Sequence, residues 1–210
     1  MSKGQLIVCD GSNGAGKSTV LNAIEAHLKA TGREFVMTRE PGGTPIGERI
    51  REILLSPGAS EMYGVTELML FAAARAQHVR EKILPAIQAG KIVVSDRFDS
   101  ATVSFQHYAR GLPLELIHQL NNIAIDGFKP DITIILDLDP MIGLQRITLR
   151  GGAGLDRMEQ ESMDFLYKAR NGYLEQAKND PNRFVVIDAS QPLEIVISKA
   201  IEVVNRTIWP

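Results

Sequence analysis

The chain has 210 residues, 44% hydrophobic and 23% charged, with a net charge of −2 and a single cysteine. That length suffices for one domain over residues 1–210 with a full core, and the composition is that of a globular protein with no basic surface for nucleic acid. No disulfide can form within the chain, no apolar stretch reaches the ~18 residues of a membrane span, and Met1-Ser2-Lys3-Gly4 leads into only a strand-length apolar run; together these predict a cytoplasmic protein with no signal peptide or membrane anchor.

The first predicted strand is the apolar run Leu6-Ile7-Val8-Cys9. Gly11-Ser12-Asn13-Gly14-Ala15-Gly16-Lys17-Ser18 follows it and fits the phosphate-loop pattern G-x-x-x-x-G-K-[ST] in full. A helical pattern comes next, with Val20, Ile24 and Leu28 at intervals of four and Leu21 beside them. In this strand–loop–helix setting, glycines let successive backbone N–H groups turn around a phosphate, and the helix adds its positive end. Lys17 is then expected on the β/γ-phosphates, and Ser18 offers its hydroxyl to Mg²⁺.

A second strand is expected at Glu34–Met37, a short helix at Ile46–Leu55 and a long helix at Thr66–Ala89, bent near Pro85 and ended at Gly90. Leu68, Phe71, Arg75, Val79 and Ile83 lie on or near one face of the long helix. Further strands are expected at Ile92–Ser95, Ile132–Asp137 and Phe184–Asp188, with helices at about 113–125, 140–149, 160–178 and 192–206. The last of these is read as packing Ile195, Ile197, Ile201 and Val204. Strands alternating with helices, each strand a continuous apolar run, predict an α/β fold: a five-stranded parallel sheet with helices on both faces, in the three-layer P-loop NTPase arrangement. Ligands in such sheets sit at the carboxyl ends of the strands, so the loop after strand one and Asp96-Arg97 after strand three should face one crevice.

A phosphate loop alone does not separate a kinase from a GTPase switch. The switch needs D-x-x-G and N-K-x-D motifs, and neither occurs. What does occur is a spread of arginines suited to a second anion. Arg39 follows strand two, Arg97 follows strand three, Arg75 lies one turn after Phe71, and Arg146, Arg150 and Arg157 surround the glycine loop Gly151-Gly152-Ala153-Gly154. The planar guanidinium offers a fork of donors that fits phosphate oxygens.

Five segments in order, Gly11–Ser18, Thr38-Arg39-Glu40-Pro41-Gly42-Gly43-Thr44, Phe71-Ala72-Ala73-Ala74-Arg75, Asp96-Arg97-Phe98 and Leu155-Asp156-Arg157-Met158-Glu159-Gln160-Glu161, resemble the bacterial thymidylate kinase family over nearly the whole chain. That resemblance implies transfer of the ATP γ-phosphoryl group to dTMP, with Mg²⁺ as cofactor, in a homodimer. It implies an ATP site of Gly11, Ser12, Asn13, Gly14, Ala15, Gly16, Lys17, Ser18, Thr19 and Arg150, with Arg146, Ala189 and Gln191 bordering adenine. It implies an acceptor site of Asp10, Asn13, Arg39, Pro41, Phe71, Arg75, Arg97, Thr102, Phe105 and Gln106, in which Phe71 stacks on thymine, Arg75 bonds the base, and Arg39 and Arg97 hold the phosphate. The catalytic set it implies is Lys17, Asp96, Arg97 and Arg150. Arg150 belongs to a lid at about 150–158, and Ser18 and Asp96, the latter through water, support the metal.

The chain departs from the family pattern in two places. Asn13 stands where an acidic residue is usual, with Asp10 in place of the usual Glu before the loop. His107-Tyr108-Ala109 stands where small residues are expected, and bulk there could reshape the base pocket. Both leave room for another or a modified pyrimidine deoxynucleoside monophosphate as acceptor, and the fold alone leaves room for a non-catalytic nucleotide-binding regulator. Asp137 and Asp139, after strand four, form an alternative metal site to Asp96. The histidines at 27, 78, 107 and 118 show no metal-ligand spacing.

Overall fold

The computed structural model describes residues 4–149 and 154–209. Its five strands are β1 (Gln5–Gly11), β2 (Phe35–Arg39), β3 (Ile92–Asp96), β4 (Ile132–Asp137) and β5 (Phe184–Asp188). All pairs are parallel, in the order β2-β3-β1-β4-β5. β1 lies at the centre, and the chain crosses to opposite sides of it. The carboxyl ends of β1 and β3 therefore open onto one crevice at the switch point, where open α/β sheets bind ligands.

The helices are α1 (Lys17–Thr31), α2 (Pro45–Leu55), α3 (Gly64–His78), α4 (Leu84–Gln88), α5 (Asp99–Thr102), α6 (Leu114–Ile125), α7 (Pro140–Leu149), α8 (Met163–Asn179) and α9 (Leu193–Ile208). Successive strand residues feed opposite faces of the sheet. Ile7, Cys9, Val94, Ile134 and Leu136 meet α1 and α9 on one side. Leu6, Val8 and Val93 meet Val79, Ile83 and Ile87 from the long helical rod, with Phe98, Ala124 and Ile125, on the other. Cys9 is buried in the first cluster, and that burial raises its thiol pKa far above the usual range, so it packs as a small apolar residue. No helix among the described residues is long and apolar enough to cross a membrane.

The long rod expected at Thr66–Ala89 runs from Gly64 to Gln88 and contains a π turn at Val79–Ile83. Pro85 has no N–H to give to the preceding turn, and widening that turn accommodates its ring. The helical stretch at Asp99–Ala109 was not anticipated. It begins as one α turn and widens into a second π turn at Val103–Ala109. This stretch carries no regular apolar period, so no helical signal stood out in the sequence.

The core face of α9 also differs from the expectation. Val196, Ala200, Val203, Val204 and Ile208 are buried; of the residues expected there, Val204 is in the core and Ile197 packs partly buried against it, whereas Ile195 is exposed. The i, i+4, i+7/8 series starting at Val196 points at the sheet; a series starting at Ile195 lies about 100° round the helix.

Candidate active site

The loop after β1 wraps into the amino end of α1, and Gly16, at the N-cap, has φ 88°, which a Cβ would strain. Lys17 Nζ donates to the carbonyls of Gly11 (3.1 Å) and Ser12 (2.8 Å), folding over the loop. Burial and the nearby Arg97 push its pKa down to about 8. Helix α7 presses on the loop's other side. A methyl at Gly143 would collide with the Asn13 carbonyl, and one at Gly14 would collide with the Gly143 backbone. Arg146, one turn further along α7, donates to the Ala189 carbonyl at 3.4 Å, which brings together two of the residues expected beside adenine. Gln191 lies nearby, exchanging hydrogen bonds with Asp188 and Lys199.

Arg97 leaves β3 with φ 67° and turns its guanidinium back toward the loop. It donates to Asp10 Oδ1 (2.9 Å), the Gly11 carbonyl (3.1 Å), Tyr173 OH (2.8 Å) and Asn13 Oδ1 (2.5 Å). Burial works against its charge, but Tyr173 and Asp10 beside it outweigh burial and raise its pKa. Asp10 is not a cleft residue as expected. It is fully buried, and its carboxylate is taken up by the Gly11 N–H, Arg97, Ser100 and Tyr173. Its place is behind Arg97, as the acid that aims it.

Two clefts meet at Arg97. One, of about 950 Å³, is lined by Asn13, Gly14, Gly16, Lys17 and Ser18 of the loop, together with Arg39, Arg51, Asp96 and Arg97. The other, of about 590 Å³, is lined by Pro41, Phe71, Arg75, Thr102, Phe105 and Gln106, and shares Asn13, Arg51 and Arg97 with the first. Every residue expected in the acceptor site except Asp10 thus lines one cleft or the other. Arg39 is half-exposed and pairs with Glu48 at 2.9 Å, holding that carboxyl below the usual range; the same side chain borders the phosphate side of the cleft. Arg75 is almost fully buried. Its guanidinium donates to Glu40, Thr102, Asn121 and the Phe98 carbonyl, which uses four of its five N–H groups.

Asp96 Oδ1 is buried and has no hydrogen-bond partner among the described residues, although Asp96 borders the same space as Ser18. An anionic oxygen so placed suits a metal-bound water. Asp137 is unsuited to that role, because Arg170 clamps both its oxygens at 2.7 and 2.9 Å. Asp139 caps Met141 and accepts from Tyr167.

Bulk at 107–109 does not reach the base cleft. His107 Nδ1 pairs with the Leu112 carbonyl and Tyr108 packs over Gly172, because the π turn takes up length and swings both rings outward. Of the arginines around the glycine loop, Arg157 is buried and pinned to Glu67 and the Leu54 carbonyl, and Arg150 lies outside the described residues. Arg51 was missed. It donates to the Pro41 carbonyl and stands beside Arg39, and its only sequence signal was one more charge on an amphipathic helix.

Five parallel strands with a glycine loop cradling the first helix, facing a guanidinium-lined second cleft, define a P-loop phosphotransferase. The model of the thymidylate kinase family matches residues 9–200. Over 206 residues the chain is 47% identical to a thymidylate kinase of Geobacillus sp. (strain WCH70), covering 98% of each sequence. Its structure is similar to a crystal structure of thymidylate kinase from Ehrlichia chaffeensis, with a TM-score of 0.78 and 32% identity over 97% of this chain and 99% of that one. The chain belongs to the thymidylate kinase family.

Proposed function

We propose that this chain moves the γ-phosphoryl group of ATP to the 5′-phosphate of dTMP, and that the two clefts meeting at Arg97 are its donor and acceptor sites. That junction carries the reading. Two anions must be held tail to tail, and here main-chain amides after β1 face a cluster of Arg39, Arg51 and Arg97. Three guanidinium groups and the Lys17 ammonium, set among Glu40, Asp96, Asp156 and Glu159, offer forked donors to a multiply charged ligand.

Phosphoryl transfer asks the protein for alignment and spread positive charge more than for covalent help. Lys17 would release the loop carbonyls and turn to the β/γ-phosphates. Arg97, held at four points, would meet the acceptor phosphate without reorganising. A phosphate dianion is itself the nucleophile, so no general base is needed. Ser18 and, through water, Asp96 would hold Mg²⁺, which would supply charge neutralisation at the phosphates. Phe71 borders the base and Arg75 has one donor left for its edge. The resemblance also assigns Arg150, which lies outside the described residues, to the transferring phosphoryl group.

The copies would pair through α3. Val65, Met69 and Ala73, one turn apart, form an exposed stripe there, and Ile123 on α6 is 70% exposed. A coupled assay across dTMP, dUMP, dCMP and 5-substituted analogues tests the substrate. Turnover of dTMP is expected, and its absence alongside turnover of another monophosphate would overturn the assignment.

A further inference from the structure

One buried group near the acceptor cleft has no part in the mechanism above. His78, at the end of α3, is wholly buried. Its Nε2 lies 2.6 Å from Thr38 Oγ1, and its Nδ1 lies 2.9 Å from Glu40 Oε1. A carboxylate only accepts, so Nδ1 carries the proton toward Glu40; the Thr38 hydroxyl can then donate to Nε2 of a neutral ring. The other oxygen of Glu40 receives Arg75 Nε at 2.8 Å. The ring also fills the turn after Glu40. Gly43 has φ 79°, and a methyl there would stand 2.6 Å from Nε2.

Thr38 and Glu40 flank Arg39. The ladder continues past β2, with Glu40 N–H bonded to the Asp96 carbonyl, so the side chains of residues 38 and 40 share one face and Arg39 takes the opposite one. We propose that His78 is a positioning residue that couples the two halves of acceptor recognition: through Glu40 it sets the base-side Arg75, and by clamping both neighbours of Arg39 it aims that guanidinium at the phosphate. This rests on the acceptor site assigned above. The ring reaches both arms because they attach to its two nitrogens; an apolar residue would fill the space and leave Glu40 short of a donor in a buried site.

Calorimetric binding of thymidine, dTMP and ATP, each alone, separates the parts. The excess affinity of dTMP over thymidine reports the phosphate grip. Binding of dTMP by the unaltered protein checks the functional reading independently; the variant-to-parent ratios check the present one. His78→Ala should weaken thymidine about tenfold, as expected for losing a hydrogen bond to a charged group, shrink the dTMP excess as well, and leave ATP unchanged. His78→Asn can still donate to Glu40 and should recover the thymidine part alone. Thr38→Val keeps the shape and serves where His78→Ala does not fold; it should shrink only the dTMP excess. A loss confined to one half in His78→Ala, an equal loss for ATP, or unchanged affinities with only a lower melting temperature would overturn the coupling.

Discussion

Lys17 shows how one residue's surroundings set a measurable property. Burial and Arg97 lower its pKa to about 8, so in the free protein it loses its proton as pH rises through that value. Phosphates arriving beside it restore the charge. Through Lys17, nucleotide binding should therefore take up about half a proton at pH 8, close to one by pH 9.5, and almost none at pH 6.5. Calorimetry in buffers of different ionisation enthalpy would measure this, and Lys17→Met should abolish it. At Asp96, the buried Oδ1, unpartnered among the described residues, predicts that Asp96→Asn raises the Mg²⁺ concentration for half-maximal rate by about tenfold, read from a metal titration. Glu67 illustrates structural charge. Burial alone would raise its carboxyl, but hydrogen bonds from Arg110 and Gln106 outweigh that and hold it below the usual range. Its stabilising contribution is present above the ordinary carboxylate pKa and is lost as pH falls through the lowered one. Glu67→Gln leaves buried Arg157 without its acid and Arg110 with Glu161 alone, and should cost about 3 kcal/mol in denaturant unfolding at pH 7.

Helices act here through the surfaces they present to the loop. α7 touches the phosphate loop glycine to glycine, at Gly143 and Asn13-Gly14. Gly143→Ala should push the Asn13 carbonyl away and weaken ATP several-fold or more while adding helix propensity, so nucleotide affinity and melting temperature should move apart. The two π turns do different work. The one before Pro85 absorbs a missing donor, and the one at Val103–Ala109 turns His107 and Tyr108 out of the acceptor cleft while leaving Phe105 and Gln106 lining it. Neither is visible as a motif, because a π turn depends on what the helix packs against.

For the whole molecule, the exposed stripe on α3 predicts association. Met69→Glu should convert a dimer to a monomer by sedimentation at micromolar concentration, with each copy's clefts unchanged. The sequence by itself determined the five strands, all but one of the long helices, the phosphate loop and most residues of both clefts. The strands, helices and loop follow from local facts, namely apolar runs of strand length, helical periodicity and glycine spacing; cleft residues such as Phe71, Thr102 and Gln106 follow from the resemblance to the thymidylate kinase family. Only the tertiary structure decided which charges face a ligand. Asp10 and Arg75 read as cleft residues, yet Asp10 is spent on Arg97 and most of Arg75 on Glu40, Thr102 and Asn121; Arg157 is spent on Glu67, and Arg51 arrives at the acceptor cleft from another helix. A side chain's type and spacing state what it can bond, but the side-chain partners of Asp10 and Arg75 lie 27 to 163 positions away, and only packing brings those together.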